Sequence, residues 1–429
     1  MTVQTATRDV LMPIGQNMTY QDNNGLWRHS FLTDGLPAGM AFSRASAATD
    51  FSPTGALQTE NPDVPRFDIN PTTLAPVGLL LEGARTNAIR NSQAAGVALN
   101  TNPTNWSGRG TVAGITTEIV GFGTQNGLSY IDWQLSGTST AASGTALLFE
   151  TNTAIAAANN QPWSLSAWYA CVAGSTANMT INQRLRMLDS VATDLGSLNG
   201  SAMQGALTTT MQRFSSTVTT THASTTNIRP MLNIAWASGV VINATLRVAA
   251  PQCGQNSFPS SYIPTTSASA TRAVDLATFS TLGTINFNPA EGTIIAEFEM
   301  ANIGSTGTQR ILQFHDGSAS NRLSFGLTSS GLVPLVVSSG TVVFNPTISS
   351  VSPNTVYKIA LAYKANDFGG CLNGGTVVTT TTGNVPVGLN TLSLGNNGYD
   401  TAAGMFGWIR RLTYAPVRYS NTQLQALTA

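Results

Sequence analysis

The residues whose types and spacing best suit catalysis are Glu297 and Glu299, two carboxylates separated by one residue. In a β-strand, residues i and i+2 point to the same face, about 6.5–7 Å apart along the chain. Two carboxylates near that separation are what glycoside hydrolysis needs. The pair therefore permits a glycan depolymerase that uses Glu297 and Glu299. Two solvent-facing side chains on an ordinary strand are the simpler interpretation.

A histidine beside an aspartate, His315–Asp316 in FHDGS, is another local pattern with chemical potential. It could orient a base or bind a metal, but no partner nucleophile accompanies it, and the pair more simply belongs to a turn. The sequence contains no GxSxG elbow, no HExxH pair, no Walker loop and no GxGxxG fingerprint. We therefore predict no catalytic residue, no cofactor, and a chain that is not an enzyme.

The sequence does not indicate a metal site or a disulfide framework. Calcium is commonly bound through loop oxygens, and residues that carry such oxygens are Asp316, Asn321, Asp367 and Asn373. Their spacing matches no recognisable ligand pattern, so no metal is predicted. Cys171, Cys253 and Cys371 are far apart and odd in number, which indicates buried free thiols.

A sugar-binding face would use exposed aromatic rings against sugar rings, with amide and guanidinium groups for the hydroxyls. Candidate ligand-binding residues are Tyr399, Trp408 and Trp168. Tyr399 lies in the Gly- and Asn-rich turn NNGYD, which is the context least typical of a core. Trp133, Trp236 and Tyr414 are further candidates of the same kind. Aromatic residues on alternating strands more often belong to a core, and core burial is the alternative for each of these residues.

The elements that must position these residues are predicted to be β-strands. Charged residues make up 9% of the chain and hydrophobic residues 42%, whereas an average soluble protein is about 25% charged. Helix surfaces are normally covered by Lys, Glu and Arg, while Thr, Ser, Asn, Gln and Gly suit strands and turns. We therefore predict an all-β protein with a polar, weakly charged surface.

The charge pattern argues against several classes of partner. The formal net charge is zero, the lysines are Lys358 and Lys364, and no Lys/Arg run could neutralise a phosphate backbone. Nucleic-acid binding is therefore not expected. No apolar run approaches the roughly 20 residues of a membrane span, so membrane insertion is not expected either. The N-terminus lacks the charged start and apolar core of a signal peptide, which predicts synthesis in the cytoplasm.

Composition divides the chain into four parts. Residues 1–40 show few periodic signals and form either an attachment arm or an edge segment of the first domain. Residues 41–90 alternate short apolar pieces with proline and glycine, which predicts an extended wrapping segment. Residues 91–275 and 276–429 show alternating runs between Gly, Asn and Thr turns, which predicts two β-sandwich, jelly-roll domains. Asn373–Gly374 predicts a type I′ turn, and Ser420 is a suitable cap for a helix over Ser420–Leu427.

Three stretches of the chain resemble a framework that recurs in bacteriophage virion proteins. They are AFSRASAATDF (Ala41–Phe51), GLLLEGARTN (Gly78–Asn87) and FPSSYIPTTSASATRAVD (Phe258–Asp275). The family comprises fibre, spike and receptor-binding subunits built of lectin-like jelly rolls. Residues 91–275 resemble its carbohydrate-binding-module-like sandwich, and residues 276–429 resemble the concanavalin A-like, laminin-G-like sandwich. The family's GAQLE-G stretch is altered here to APQCGQ (Ala250–Gln255), without the acidic residue.

The resemblance implies a virion structural protein, a tail fibre, spike or head-fibre subunit, that attaches to a host-surface glycan. It further implies a homotrimer on the particle surface that contacts other phage structural proteins. An architectural capsid or tail decoration subunit without a ligand is one alternative, and the depolymerase described above is another. Some jelly-roll glycosidases carry an acidic trio resembling E-x-D-x-x-E on one strand, and the third place is Asn302 in this chain.

The charged residues of the resembling stretches are expected to form a structural clasp. Its predicted members are Arg44, Glu82, Arg85 and Arg272, with Glu82 paired to Arg44 or to Arg85. Isolated ion pairs in a weakly charged protein are more often structural than ligand-binding, and the planar guanidinium suits partly buried pairs. A ligand-binding role for these arginines is the alternative.

Overall fold

A computed structural model describes residues 19–22, 25–33, 35–303, 308–399 and 404–429. Regular structure in these residues is almost entirely β-strand, which confirms the predicted all-β class. Residues 1–18, which form much of the expected attachment arm, lie outside the described residues. The strands up to residue 90 are β1 (Thr19–Gln21), β2 (Trp27–Ser30), β3 (Met40–Ser43), β4 (Ala48–Phe51), β5 (Leu57–Glu60), β6 (Arg66–Ile69), β7 (Pro76–Glu82) and β8 (Arg85–Asn87).

The middle of the chain forms a first β-sandwich. Its strands are β9 (Gly110–Val112), β10 (Ile115–Gln125), β11 (Leu128–Thr138), β12 (Ser143–Leu148), β13 (Ile155–Ala156), β14 (Pro162–Ser175), β15 (Thr180–Leu188), β16 (Asp194–Ala202), β17 (Gln212–Thr219), β18 (Asn227–Trp236) and β19 (Val241–Gly254). Sheet 1 has the order β17-β14-β19-β11-β10-β9, and sheet 2 has the order β12-β18-β15-β16 with β13 beside β18. Side chains that alternate between the two faces of a strand place every second residue in the core. Ile131, Trp133 and Leu135 of β11 are fully buried in this way.

The rest of the chain forms a second β-sandwich. Its strands are β20 (Ala270–Arg272), which pairs with β8, and β21 (Leu276–Phe279), β22 (Glu291–Met300), β23 (Gln309–His315), β24 (Arg322–Thr328), β25 (Gly331–Ser338), β26 (Thr341–Phe344), β27 (Val356–Lys364), β28 (Phe368–Leu372), β29 (Val378–Thr380), β30 (Thr391–Leu394) and β31 (Phe406–Ala415). Sheet 3 has the order β26-β25-β24-β23-β30-β21-β3. Sheet 4 has the order β1-β2-β31-β22-β27-β28-β29, with β7 also on β31 and β6 on β7. Buried apolar residues of both sheets form one shared core.

The N-terminal strands complete the second sandwich rather than the first. β2 pairs with one half of β31, β7 pairs with its other half, and β3 joins β21 in sheet 3. Residues 1–40 were expected to form an attachment arm or an edge segment of the first domain. Trp27–Ser30 instead forms a strand of the second sandwich. The physical reason is that the edge of β31 opposite β22 would otherwise expose unpaired N–H and C=O groups.

Two local signals in the sequence are confirmed. Asn373 and Gly374 have φ angles of 46° and 69°, and Gly375 N donates to Leu372 O at 2.9 Å, which is a type I′ turn. Helix α1 spans Asn421–Thr428, and Ser420 caps it through a capping box with Gln423. Among the described residues, no helix has the length and apolarity that would let it cross a membrane.

Candidate functional site

Five buried charged residues, which we call the buried charge cluster, lie where the three resembling stretches meet. They are Arg44, Arg66, Glu82, Arg272 and Asp275. Asp275 accepts hydrogen bonds from Arg66 Nη2 at 2.6 Å and from Arg44 Nη1 at 3.2 Å. Glu82 Oε2 lies 2.9 Å from Arg66 Nη1 and 3.6 Å from Arg272 Nη2. The cluster therefore connects β6, β7 and β20 with the residues that flank β3 and β21.

Glu82 also connects the cluster to the chain that leaves the first sandwich. Its carboxylate accepts hydrogen bonds from Ser261 N at 2.9 Å and from Ser261 Oγ at 2.6 Å. Burial raises the pKa of Glu82, but the charges of Arg272 and Arg66 together with the Ser261 hydrogen bonds outweigh burial and lower that pKa to about 2. The carboxylate is ionised and saturated with donors, so the cluster acts as a structural joint between the sandwiches.

The predicted clasp is assembled from different pairs than expected. Glu82 pairs with Arg66 and Arg272 rather than with Arg44 or Arg85, and Arg44 pairs with Asp275. Pairing partners depend on strand register between distant segments, which residue spacing along the chain does not reveal. Arg66 and Asp275 were not among the predicted members.

Arg85 lies outside the buried charge cluster. Its guanidinium carbon is 4.1 Å from the ring centroid of Phe406 and 5.2 Å from that of Phe258. Burial lowers the pKa of Arg85 to about 10, with Glu82 opposing the shift. Arg85 therefore lies against the two adjoining aromatic rings of Phe406 and Phe258, a position that suits a guanidinium group.

The two glutamates of the depolymerase hypothesis lie on one face of β22 and are both ion-paired. Glu297 Oε1 is 3.1 Å from Arg410 Nε, and Glu297 Oε2 is 2.7 Å from Arg411 Nη1. Glu299 Oε2 is 3.3 Å from Arg410 Nη1. Burial raises the pKa of Glu299, and the Arg410 charge opposes that shift. The arrangement stabilises the β22–β31 contact, and nothing in this geometry favours a catalytic role.

The candidate tryptophans are placed in packed surroundings. Trp168 is 7% exposed, and its ring packs edge-on against Tyr262 and beneath the Arg213 guanidinium. Neither face of Trp168 is open to a sugar. Trp408 is half-buried, and its Nε1 donates to Asp68 Oδ2 at 2.9 Å. The weaker candidates Trp133, Trp236 and Tyr414 are buried in the cores.

Tyr399, which the sequence predicts to bind a ligand, is accessible to solvent, with 39% of its surface exposed. Its hydroxyl accepts a hydrogen bond from Arg322 Nη1 at 2.8 Å, and its ring packs edge-on against His315. His315 Nδ1 accepts from Gly317 N at 3.0 Å, so Nε2 carries the proton and donates to Ser393 Oγ at 3.0 Å. Burial lowers the pKa of His315, which keeps the ring neutral. His315 therefore holds the turn, as the simpler sequence interpretation proposed.

The loop residues considered for calcium are engaged with other groups of the protein. Asp316 Oδ1 accepts from Ser318, and Asn321 Nδ2 donates to Asp316 Oδ2 at 3.0 Å. Asp367 pairs with Arg418, and Asn373 belongs to the type I′ turn. In the described part of the chain, no group of three or more His, Cys, Asp or Glu side chains could hold a metal ion.

A groove of about 390 Å³, the arginine groove, opens at the edge of the first sandwich. There the chain crosses between the sheets: Ser107 pairs with Leu148 of β12, and β9 then pairs with β10. Its lining combines polar and apolar groups and contains no aromatic ring: Ser107, Gly108, Arg109, Gly110, Val112, Thr117, Thr145, Ala146, Leu148, Arg186 and Arg229. The crossing segment and Thr117 of β10 form one wall, and β12, β15 and β18 of sheet 2 supply the remainder.

Strand register brings the groove arginines together. Arg186 of β15 and Arg229 of β18 are direct cross-strand partners, and side chains at such positions are neighbours on one face of a sheet. Arg184 lies two residues before Arg186 and therefore on the same face. Arg109 is exposed on the crossing segment. Four guanidinium groups thus lie at or beside one groove in a chain whose net charge is zero.

A single aspartate compensates this charge in part. Asp194 Oδ2 of β16 lies 3.1 Å from Arg186 Nε and forms an ion pair with it, although the geometry is too bent for a hydrogen bond. Both side chains are partly exposed. Burial and the neighbouring Arg186 lower the pKa of Arg229, and Asp194 opposes the shift. Burial and Arg186 act in the same direction on the pKa of Arg184. The groove is therefore a region of concentrated positive potential.

Sequence reasoning did not identify the arginine groove. Arg109, Arg186 and Arg229 are separated by 77 and 43 residues and lie in no basic run. A usable signal was present: Arg184 and Arg186 alternate with apolar residues in INQRLRML, which places both on the polar face of one strand. The crossing segment and the β15–β18 register complete the groove, and neither is visible in local spacing.

Comparison with known proteins identifies no family for this chain. It finds solved structures that resemble about a third of the chain. No protein-family model matches the sequence, and no curated protein matches it. The CBM40 domain of a Ruminococcus gnavus IT-sialidase is 15% identical, over 33% of this chain and 84% of that chain, with a TM-score of 0.29. Domain 4 of a GH43 extracellular arabinanase from Geobacillus stearothermophilus, in complex with arabinotriose, is 15% identical, over 38% and 77%, with a TM-score of 0.30. The NanB sialidase from Streptococcus pneumoniae is 14% identical, over 34% and 24%, with a TM-score of 0.30.

Proposed function

We propose that this chain is a glycan-binding attachment subunit of a bacteriophage particle. The observation that carries the binding part of the proposal is the arginine groove, a concave polar site on an otherwise weakly charged β-sandwich. The phage part rests on the resemblance of Ala41–Phe51, Gly78–Asn87 and Phe258–Asp275 to the virion framework. The second sandwich, completed by N-terminal strands, would then serve as scaffold.

The size and chemistry of the groove suit a short saccharide. Small-ligand sites commonly enclose about 300–1,000 Å³, and the groove is about 390 Å³. Arg109 is exposed and makes no hydrogen bond or ion pair with any described residue, so its donors are available to ligand oxygens. Hydroxyl groups of Ser107 and Thr145 add donors and acceptors at the rim.

The remaining features of the proposal rest on the resemblance to the virion framework, and the buried charge cluster is compatible with them. A virion subunit works outside the cell, and a joint of buried ion pairs resists separation of the two sandwiches. We propose that the subunit is displayed on the particle surface as a homotrimer and contacts other phage structural proteins. A decoration subunit without a ligand would have the same joint but no use for the arginine groove.

Host-cell binding tests the proposal. Fluorescently labelled protein is applied to candidate host cells before and after periodate oxidation of their surface sugars. We expect binding that periodate abolishes and that Arg109→Ala weakens. Arg28→Ala is the matched control, since Arg28 is exposed on β2 and remote in sequence from the groove. Absence of binding before periodate, or binding that periodate leaves unchanged, would refute a glycan-directed attachment role.

A further inference from the structure

We infer that the arginine groove selects saccharides that carry an anionic group, a carboxylate or a phosphate, over neutral ones. This inference rests on the proposed function and specifies its ligand. The shared chemistry is an oxyanion on a sugar unit, which guanidinium groups recognise through paired N–H donors. Neutral glycans would not require four arginines at one site.

The first argument is the cost of the arrangement in the free protein. Arg186 and Arg229 are directly opposite each other on adjacent strands, and like charges at such positions are destabilising. Arg184 adds a third positive charge on the same face, and Asp194 is an exposed, weak counterion. An oxyanion seated between these guanidiniums would relieve that repulsion, whereas a neutral sugar would not.

The second argument is the unused hydrogen-bonding capacity of the site. Arg109 is exposed and makes no hydrogen bond or ion pair with any described residue, so all of its donors are open to a ligand. Arg229 donates from Nη1 to Asn152 Oδ1, which fixes its guanidinium at the groove. An oxyanion in the groove could accept from the Arg109 guanidinium, and hydrogen bonds between two charged groups are stronger than those to a neutral acceptor.

The third argument separates a saccharide from a nucleic acid. Single-stranded nucleic acids are held by a long basic track with aromatic rings on which bases stack. The arginine groove is short and has no aromatic residue in its lining. Its positive charge also ends at the groove, because the sequence has no basic run that would extend it along a phosphate backbone. The observations therefore favour an acidic sugar, and nucleic acid becomes an outcome of the test.

The experiment measures binding of the full chain to defined polymers by calorimetry at low and moderate salt. The probes are polygalacturonate, its neutral methyl ester, phosphorylated dextran, unmodified dextran and a single-stranded oligonucleotide. We expect binding to polygalacturonate or phosphorylated dextran that salt weakens, with at least about tenfold weaker binding to the neutral polymers. The two anionic polymers distinguish a carboxylate ligand from a phosphate ligand, and either result supports the inference.

Variants test whether the groove is responsible. Arg109→Ala and Arg229→Gln should each weaken anionic-polymer binding about tenfold or more, while Arg28→Ala should not. Asp194→Asn should strengthen it about two- to fivefold, the range of an exposed charge pair. A gain of affinity cannot arise from damage to the fold, so this variant keeps the test decisive if Arg229→Gln unfolds.

The failures are distinguishable. Equal binding of neutral and acidic polymers, or tighter binding of the oligonucleotide, would overturn the inference and leave periodate-sensitive attachment to host cells intact. Anionic-polymer binding that none of the groove variants changes would also overturn it. Absence of any glycan binding together with absence of host-cell binding would overturn the proposed function and the inference with it.

Discussion

Replacing Asp275 by Asn should strongly destabilise the protein, because Asp275 is the acceptor that neutralises the centre of the buried charge cluster. Its Oδ2 accepts from Arg66 Nη2 at 2.6 Å, from Glu82 N at 2.8 Å and from Arg272 Nη1 at 3.5 Å. Its Oδ1 accepts from Arg44 Nη1 at 3.2 Å. An asparagine keeps one acceptor oxygen and turns an NH₂ group toward an arginine donor.

The magnitude follows from the charges and burial. The substitution leaves the three buried guanidiniums of the cluster with Glu82 as its remaining carboxylate, and the side chains of Asp275 and its arginine partners are 0% exposed. A hydrogen bond to a charged group contributes about 1.5–3 kcal/mol, and removing one partner of a buried ion pair costs about 3–5 kcal/mol. We therefore expect the free energy of unfolding to fall by about 3–5 kcal/mol.

Urea denaturation followed by tryptophan fluorescence and by circular dichroism measures this loss. Lys364→Met is the matched control, because the Lys364–Glu291 pair is 53% and 30% exposed with a separation of 3.4 Å. Removal of that exposed pair should cost no more than about 1 kcal/mol. A loss for Asp275→Asn as small as that for the control would refute the view that the cluster stabilises the joint between the sandwiches.

Three further predictions concern titration, backbone geometry and thiol exposure. Burial and the nearby Asp68 carboxylate raise the pKa of Asp50 to about 7. Because this pKa exceeds the unfolded value of about 3.9, the free energy of unfolding of the wild type should fall between about pH 4 and pH 7. The urea midpoint of Asp50→Asn should therefore rise relative to that of the wild type over this interval, and a constant difference would contradict the assignment. Gly78→Ala should lower the free energy of unfolding by more than about 1 kcal/mol, because φ at Gly78 is +134° and a β-carbon would lie 2.5 Å from Ile409 O; an unchanged urea midpoint would disprove it. Cys171 is half-buried and the other two cysteines are buried, so a thiol reagent should modify one cysteine in folded protein and three in urea, and equal counts in both states would show that this burial is wrong.

Local sequence features were sufficient to predict the class of fold and several of its details. The low charge and the alternating runs predicted strands, because alternation at period two is the direct consequence of strand geometry. The Asn373–Gly374 turn and the Ser420 cap were predictable since each depends on residues within one turn of the chain. Burial of Arg44, Glu82 and Arg272 as a structural group also followed from isolated charges in a weakly charged sequence.

The pairing of distant segments was not predictable from local spacing. Trp27–Ser30 joins β31 across nearly the whole chain, and Arg66 and Asp275 meet across 209 residues. Such contacts form because they complete open sheet edges and neutralise buried charge, and many registers satisfy the same local pattern. The burial of the sugar-binding candidate Trp168 has the same cause, because a residue on an alternating strand can face solvent or the core, and Trp168 packs beneath Arg213.

The sequence by itself determined an all-β chain of low charge whose arginines are scattered. Only the tertiary structure decided that Arg109, Arg186 and Arg229 line one groove. The physical reason is that a strand pattern specifies which face a side chain occupies, while its neighbours on that face are set by β15–β18 register and by the crossing of residues 107–112 between sheets.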